Sequence, residues 1–408
     1  MSFQGANVNK LDGGLGGGET ADRVAVLIVG GSAIPDKLEL YKKYELLQIE
    51  DAEMRGITAE SDIANKELIY YHLSEVFRLS PETSINIIVV PKTTKASELK
   101  NSNEFITALR SIEGINTIGE IGLTNDTNIG VAVTGVQLLV DALKKDFIYI
   151  DTVLLEGKGT YITGAMVADY PTMRDFDSEI ISPIWAQDPA IASLDNAYKN
   201  HAAVGSALGM LMVRAIHENM GSVDIETKPR VRKAEQDYTL TDVKLGRWLS
   251  AALSNGKLFE TLSGADQKKL DELGYNYVGA FAGYGGYYFS NSHTCTEEDS
   301  DYCFIERNAI WNKGARIIRA TLIPRIRSKV QADPETGYIK NTTITDWDGR
   351  VRKALEAMTR AGNIAAFDIY IDPKQAAVSS KPFSIKVQFV ADGIVHEFDI
   401  DLGYTKSI

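Results

Sequence analysis

Cysteine, histidine and long apolar runs are all scarce in this chain of 408 residues. Its two cysteines cannot build a disulfide framework, so the sequence predicts a protein that folds in a reducing cytoplasm. The longest apolar run among the first hundred residues covers only residues 24–29, and no basic amino-terminal region precedes an apolar stretch. We therefore expect neither a signal peptide nor a segment that inserts into a membrane.

The chain also has fewer basic residues than acidic ones. Lysine and arginine number 43 against 55 aspartates and glutamates, which gives a formal net charge of -12. Nucleic-acid binding needs a basic face, so this balance argues against a nucleic-acid partner. The apolar fraction of 44% is ordinary for a soluble globular protein, and the length allows two or three domains with ample core.

Motifs for catalysis or metal binding are missing as well. His293, Cys295 and Cys303 lack the second close pair that a tetrahedral zinc site needs, and the five histidines are scattered. Residues 157–160 read Gly-Lys-Gly-Thr, but a phosphate-binding loop requires Ser or Thr directly after the lysine. The sequence therefore predicts no cofactor, no metal and no enzymatic activity.

Apolar periodicity favours an α/β fold of mixed α+β character. Residues 23–31 and 85–91 are apolar runs typical of strands buried on both faces, and residues 61–79 between them repeat with helical spacing. Strand, helix and strand of these lengths make a βαβ unit. The glycines after the first strand, Gly30 and Gly31, lack the spacing of a dinucleotide fingerprint. An α/β enzyme that binds a nucleotide or phosphate at this turn remains the alternative.

The second half contains a long apolar pattern and a pair of alternating strands. Residues 193–220 predict one helix, in which Gly205 and Gly209 share a face suited to close packing in a core. Residues 385–389 and 394–402 alternate between apolar and polar side chains, and Asp392-Gly393 between them is a hairpin signal. We expect these two strands to pair with each other.

Both ends of the chain have features suited to assembly. Residues 1–22 hold six glycines and few apolar residues, which predicts either a flexible arm or a terminus without a role. Strand addition between subunits would use a tethered terminal strand such as residues 394–402. Residues 311–329 hold six basic residues and no acid, which predicts either a contact with an acidic surface or a solvated helix face.

Four passages, in this order, resemble the contractile tail sheath proteins of bacteriophages and related injection systems. The first is the strand and turn at residues 24–33 followed by residues 46–56, LLQIEDAEMRG. The second is the small-residue helix AAVGSALG at residues 202–209. The third is DYCFIERNAI at residues 301–310, which leads into residues 317–326. The fourth is the carboxyl-terminal part of the chain, which runs from Gly362 through residues 371–373 to the last strands.

The resemblance implies a structural subunit that polymerises in hexameric rings around an inner tube and contracts to drive that tube through an envelope. The implied partners are copies of the chain, the inner tail tube protein, and baseplate and terminator proteins. The implied location is a virion tail or contractile particle assembled in the bacterial cytoplasm. The implied domains are an arm at 1–22, an α/β domain at 23–192, a sheath core domain at 193–384 and a strand arm at 385–408.

The resemblance also assigns two sets of residues. The inter-subunit arms would use apolar side chains at both ends, namely Val8, Leu11, Leu15, Val395, Phe398, Ile400 and Leu402. The side that faces the tube is assigned from charge to Arg316, Arg319, Arg325 and Arg327.

Overall fold

A computed structural model of the chain describes residues 22–378, 381–396, 398–400 and 402. In this part of the chain the strands are β1 Ala25–Gly31, β2 Lys43–Leu46, β3 Ile85–Pro91, β4 Thr117–Ile121, β5 Thr152–Glu156, β6 Ile181–Ile184, β7 Ala186–Gln187, β8 Ala252–Leu253, β9 Val278–Gly279, β10 Tyr288–Phe289, β11 Ala366–Ile371 and β12 Ile385–Val390. The α-helices are α1 Ile49–Met54, α2 Ala59–Asn65, α3 Ile69–Leu79, α4 Asn103–Arg110, α5 Ile129–Lys145, α6 Pro189–Ala192, α7 Val204–Met212, α8 Gly264–Glu272, α9 Ile305–Leu322 and α10 Asn341–Arg360.

The largest sheet has six strands in the order β2-β3-β1-β4-β5-β6. All neighbours in it are parallel except β2, which pairs antiparallel with β3 at one edge. Every residue of β1 is buried, as its continuous apolar sequence predicts for a strand covered on both faces. The predicted α/β class is confirmed.

Helices cover both faces of this sheet. Val26 and Ile28 point to a core shared with α4 and α5, whereas Leu27 and Val29 point to a core shared with α3 and α7. Side chains alternate between faces along a strand, so one apolar strand serves two cores. The chain adds β3 on one side of β1 and later β4 on the other, and the order of strands reverses between β1 and β4.

Two predicted helices are divided in the structure. The pattern at residues 61–79 splits into α2 and α3 at Lys66, which adopts a left-handed conformation with φ 52°. The pattern at 193–220 gives a 3-10 turn at Asn196–Tyr198 and then α7, and between them the Gln187 side chain donates hydrogen bonds to the carbonyls of Lys199 and His201. These two carbonyls accept from a side chain of β7 and not from the N–H groups of a continuing helix.

The glycines of α7 have the packing role that their spacing predicts. A Cβ at Gly205 would lie 2.4 Å from the carbonyl oxygen of His72 in α3, and one at Gly209 would lie 3.1 Å from that of Glu75. The two helices therefore approach backbone to backbone, and only glycine allows this distance.

The carboxyl-terminal part has its own core between α9, α10 and the sheet of β11 and β12. The predicted hairpin of residues 385–389 with 394–402 is wrong. β12 pairs instead with β11, and the described residues after Val390 belong to no strand. The observed register sets Phe367 opposite Phe389 and Ile369 opposite Val387, so the apolar residues of both strands share the face that covers the helices.

The cores divide the chain at a different place from the predicted domains. The two cores that flank the large sheet contain residues from Ala25 to Ile305, whereas the third is built almost wholly from residues after 308. The expected boundary at residues 192 and 193 falls inside the first group, because α7 packs on α3. We call residues 23–304 the amino-terminal lobe and residues 305–402 the carboxyl-terminal lobe.

Candidate functional site

The sheet of β11 and β12 leaves both of its outer edges unpaired within the described part of the chain. Its inner face lies on α9 and α10, and side chains such as Tyr370 and Val390 are exposed. A two-stranded sheet has little stability by itself, and an unpaired edge offers a row of free N–H and C=O groups. This sheet can accept further strands at either edge.

The segment that follows β12 exposes apolar side chains. Val395, Phe398, Ile400 and Leu402 are 65%, 77%, 76% and 95% exposed. Asp399 lies between two of them, so the alternating pattern that predicts a strand is present although the strand is not formed in the isolated subunit. Val8, Leu11 and Leu15, the arm residues predicted at the other end, lie outside the described residues. The arm assignment stays a prediction.

The described chain begins at a well-anchored point. Asp22 accepts a hydrogen bond from Lys313 of α9 at 2.6 Å, and its carbonyl accepts one from the Asn116 side chain at 2.8 Å. Asn116 also accepts from the N–H of Val24 at 2.9 Å. The next residue, Arg23, is buried between the lobes near Asp151, and burial lowers the pKa of its guanidinium. The root of the predicted amino-terminal arm is therefore fixed to both lobes.

Part of the basic stretch is used inside the subunit. Arg316 pairs with the fully buried Asp151 at 2.9 Å, and Arg319 lies over the ring of Phe147 at 3.7 Å from its centroid. Burial raises the pKa of Asp151 to about 6, although Arg316 opposes this rise. These two arginines connect α9 to the amino-terminal lobe, and their predicted contact with a tube would use only the part of each side chain that remains exposed.

The end of the basic stretch is more accessible. After α9 the chain forms a short 3-10 turn at Ile323–Arg325 and then an exposed turn with Arg327 at φ 65°. Ile326 is exposed beside it, and Arg325 makes only a long contact of 3.7 Å with Asp346. We name residues 323–329 the basic turn. Of the predicted tube-facing residues, it contains Arg325 and Arg327.

The Gly30-Gly31 turn does not have the geometry of a nucleotide site. A Cβ at Gly30 would lie 2.3 Å from the carbonyl oxygen of Gly122, so this glycine permits contact between the ends of β1 and β4. The chain then forms a tight turn closed by Ile34 and Leu38 rather than a helix. A phosphate site at this position needs backbone N–H groups at a helix start, which the turn does not supply.

The residues considered for zinc have other contacts. Cys295 and Cys303 are both free thiols, and burial raises the pKa of each. His293 contacts Asp271 at 2.6 Å through Nε2. Among the described residues there is no group of three or more His, Cys, Asp or Glu side chains placed to hold a metal ion. The same part of the chain contains no helix long and apolar enough to cross a membrane.

The fold is that of subunits in solved contractile particles. One similar chain is in the cryo-EM structure of the anti-feeding prophage baseplate, with 13% identity, a TM-score of 0.58 and full coverage of both chains. Another is in the contracted sheath complex of the PVC extracellular contractile injection system, with 11% identity, a TM-score of 0.57 and coverage of 100% and 98%. A third is the sheath tail protein of Desulfitobacterium hafniense, with 8% identity, a TM-score of 0.51 and coverage of 95% and 100%.

The sequence itself matches two family models, the DUF2586 amino-terminal domain over residues 3–293 and the DUF2586 carboxyl-terminal domain over residues 301–408. The chain belongs to the DUF2586 family. No curated protein sequence matches it. The resemblance to contractile sheath proteins that the sequence predicts is confirmed at the level of the fold.

Proposed function

We propose that this protein is the sheath subunit of a contractile particle, which polymerises around an inner tube and contracts. The observation that carries the proposal is the incomplete carboxyl-terminal lobe. Its two-stranded sheet has two unpaired edges, and the next segment exposes alternating apolar residues. The whole-chain likeness to a sheath complex solved in a contracted state supports it. No feature of the Gly30-Gly31 turn favours the alternative of a nucleotide enzyme.

Strand exchange supplies the bonds between subunits in this proposal. A neighbour's carboxyl-terminal segment, and the amino-terminal arm of another, add to the free edges of β11 and β12. Each backbone hydrogen bond contributes about 1 kcal/mol net, and burial of Phe398 and Ile400 adds to that. Contraction is then a movement of nearly rigid subunits about these joints, with stacked rings of six around the tube.

The basic turn is the proposed contact with the inner tube. Arg325 and Arg327 bring positive charge to a subunit whose net charge is -12, so they suit an acidic tube surface. Arg316 and Arg319 lie one to three turns earlier on α9 and hold the helix against the amino-terminal lobe. Baseplate and terminator proteins complete the proposed particle, which assembles in the bacterial cytoplasm.

Electron microscopy of arm variants tests the polymer. The full chain is expected to form tubes or sheets by negative stain. Removal of residues 1–20, which leaves the Asp22 anchor in place, and the double change Phe398→Asp with Ile400→Asp are each expected to give folded, unassembled subunits. Val378→Asp is a matched control, because Val378 is 92% exposed and lies outside both arms. Ordered polymers from both arm variants would contradict strand exchange.

Co-sedimentation with purified inner tubes tests the tube contact. Arg325→Glu with Arg327→Glu is expected to reduce binding at least tenfold without changing the melting temperature. Lys233→Glu with Lys268→Glu, at two exposed positions outside the basic turn, is the charge-matched control. Unchanged sedimentation of the double variant would remove the basic turn from the proposal and leave the strand-exchange part intact.

A further inference from the structure

The segment after β12, residues 391–402, contacts the amino-terminal lobe through an aromatic pair. The ring of His396 stacks on the ring of Phe304, with 5.0 Å between the centroids and 23° between the planes. Phe304 is the last residue of the amino-terminal lobe and lies directly before α9. The described residues of the segment form no strand, turn or bridge. The stacking therefore does not follow from regular secondary structure on either side of His396.

Phe304 offers a fixed surface for this contact. It is half-buried, and the imidazole of His293 stacks on the same ring with 5.5 Å between the centroids. The buried His293 is held in turn by Asp271, which lies 2.6 Å from its Nε2, and Arg174 lies 3.2 Å from its Nδ1. The receiving ring is therefore anchored to the amino-terminal lobe, and only His396 has to move to break the pair.

His396 lies on the side of the segment that is suited to packing on a neighbour. In a strand, residues two apart share a face, so a strand over residues 394–402 would place His396 beside Phe398 and Ile400. Those two apolar side chains are 77% and 76% exposed in the subunit. Unlike them, His396 already has a partner, and that partner belongs to its own subunit.

Stacking on Phe304 and strand exchange exclude each other. In strand exchange the backbone of residues 394–402 is hydrogen-bonded to the sheet edge of another subunit. His396 falls within this range, so its ring leaves the Phe304 of its own subunit when the strand forms. A subunit in which the pair is intact therefore cannot donate the whole of its terminal strand.

We propose that His396 and Phe304 form a latch, which holds the carboxyl-terminal segment on its own subunit and competes with its donation to a neighbour. The proposal rests on the proposed strand exchange, but the latch itself is a contact of the unassembled subunit. Aromatic pairs contribute enough to favour the closed state about two- to twelvefold. The apparent affinity for a neighbour falls with the fraction of subunits that have a free segment. The latch therefore limits polymerisation of free subunits.

Proton NMR of the unassembled subunit tests the contact itself. The sample is the full-length chain with Phe398→Asp and Ile400→Asp, which keeps both latch residues. The His396 Cε1–H resonance, identified by its loss in His396→Asn, is expected upfield of an exposed imidazole because the ring lies against Phe304. Phe304→Leu should move this resonance to the position of an exposed imidazole, whereas Phe304→Tyr, which keeps a ring, should not. An unchanged resonance in Phe304→Leu overturns the latch.

Light scattering during assembly of the full chain tests the competition. Phe304→Leu is expected to raise the initial rate about two- to twelvefold, because more subunits present a free segment. Phe304→Tyr should assemble at the original rate. In a His396→Ala background, Phe304→Leu should have no further effect, since the contact is already lost. Asp392→Ala, at an exposed position of the same segment, is the matched control and should leave the rate unchanged.

The outcomes separate the latch from strand exchange. If the original chain forms no polymer, strand exchange fails, and the competition fails with it, while the NMR comparison still decides whether the latch exists. If the original chain polymerises and a folded Phe304→Leu assembles no faster, the latch is overturned and strand exchange stands. If Phe304→Leu loses its fold, the assembly rate of His396→Gln decides in its place, because His396 is exposed. A rate that does not rise then overturns the latch.

Discussion

The strands of the two lobes differ in how many of their edges are paired with another strand. In the amino-terminal lobe, β1 is buried along its whole length between two strands and two layers of helices. In the carboxyl-terminal lobe, β12 has one partner and alternates between half-buried and exposed residues. In the first lobe β1 has a partner strand on each side, whereas β11 and β12 of the second lobe each leave one edge unpaired within the described part of the chain. In the proposed function, the first lobe supplies the rigid body of the subunit and the second supplies the edges that other subunits pair with.

The contact between the lobes is charged as well as apolar. Arg316 of α9 reaches the buried Asp151 beside β5, and Lys313 holds Asp22 at the start of the chain. Asn312 also donates to the carbonyl of Ile150 at 2.9 Å. Polar contacts with defined directions fix the angle between the lobes better than apolar contact alone.

The largest expected effect is a loss of folding, and it comes from a substitution at the close contact between α7 and α3 in the amino-terminal lobe. Gly205→Val places a side chain against the backbone of His72, 2.4 Å from the new Cβ, so α7 must leave α3. We expect loss of soluble folded protein, measured by circular dichroism and expression yield.

Gly349→Ala is the matched control in a helix of the other lobe. A Cβ there meets nothing within 4 Å, so helix propensity should raise stability by up to about 1 kcal/mol. A folded Gly205→Val protein with an unchanged melting temperature would contradict the close packing of α7.

The second largest effect on stability is expected at the contact between the two lobes. Arg316→Met removes the cation that is hydrogen-bonded to the buried Asp151 and leaves only the more loosely placed Arg23 beside it, and we expect a loss of about 3 kcal/mol in the free energy of unfolding. Removal of one partner from a buried ion pair usually costs about 3–5 kcal/mol. We expect the lower end of this range because the Arg316 side chain is 33% exposed. Adding Asp151→Asn removes the carboxylate that lost its hydrogen-bonded cation and should recover part of the loss in urea denaturation, because Asp151 is also the nearest acidic neighbour of the buried Arg23. Equal stability of the single and double variants would show that the pair does not hold the lobes.

A smaller, pH-dependent effect is expected from Glu120 in β4. Burial raises the pKa of its carboxyl from 4.5 to about 8, and Asp126 contributes to the rise. The folded state therefore keeps a proton that the unfolded state releases, so stability falls as pH rises from about 4.5 to about 8. The titration of Glu120 can lower the free energy of unfolding by at most about 1.4 kcal/mol per pH unit.

Glu120→Gln removes this titration. Urea midpoints at pH 5, 6, 7 and 8 should decline less steeply in the variant than in the original chain. Glu356→Gln, on an exposed face of α10, is a carboxylate control from the other lobe. Parallel pH profiles for Glu120→Gln and the original chain would contradict a protonated Glu120.

The smallest effect on stability is expected in the exposed segment after β12. Phe398→Ser changes a side chain that is 77% exposed, so the free energy of unfolding of the unassembled subunit should change by less than about 0.5 kcal/mol. Leu27→Ser, in the fully buried β1, should cost several times more. A large loss of stability in Phe398→Ser would mean that the segment packs within its own subunit, and the contrast between the lobes would fail.

Periodicity identified the elements whose local pattern is strong. β1 and β3 lie where continuous apolar runs predict them, because their side chains fill the cores on both faces of the sheet. The short β2 and the root contacts of Asp22 with Asn116 had no sequence signal, since they depend on residues far apart in the chain. Residues 366–371 and 394–402 both alternate between apolar and polar side chains, so the pattern alone does not select the partner of β12.

The sequence alone determined the α/β class, the acidic balance, the helix with two glycines on one face and the apolar alternation at the end of the chain. These properties are local, so spacing and composition are enough to predict them. Only the tertiary structure decided that β12 pairs with β11, that Arg316 is held by Asp151 and that Gly205 packs against the backbone of His72. Each of these depends on which distant groups the fold brings within hydrogen-bonding distance, and no spacing along the chain encodes that.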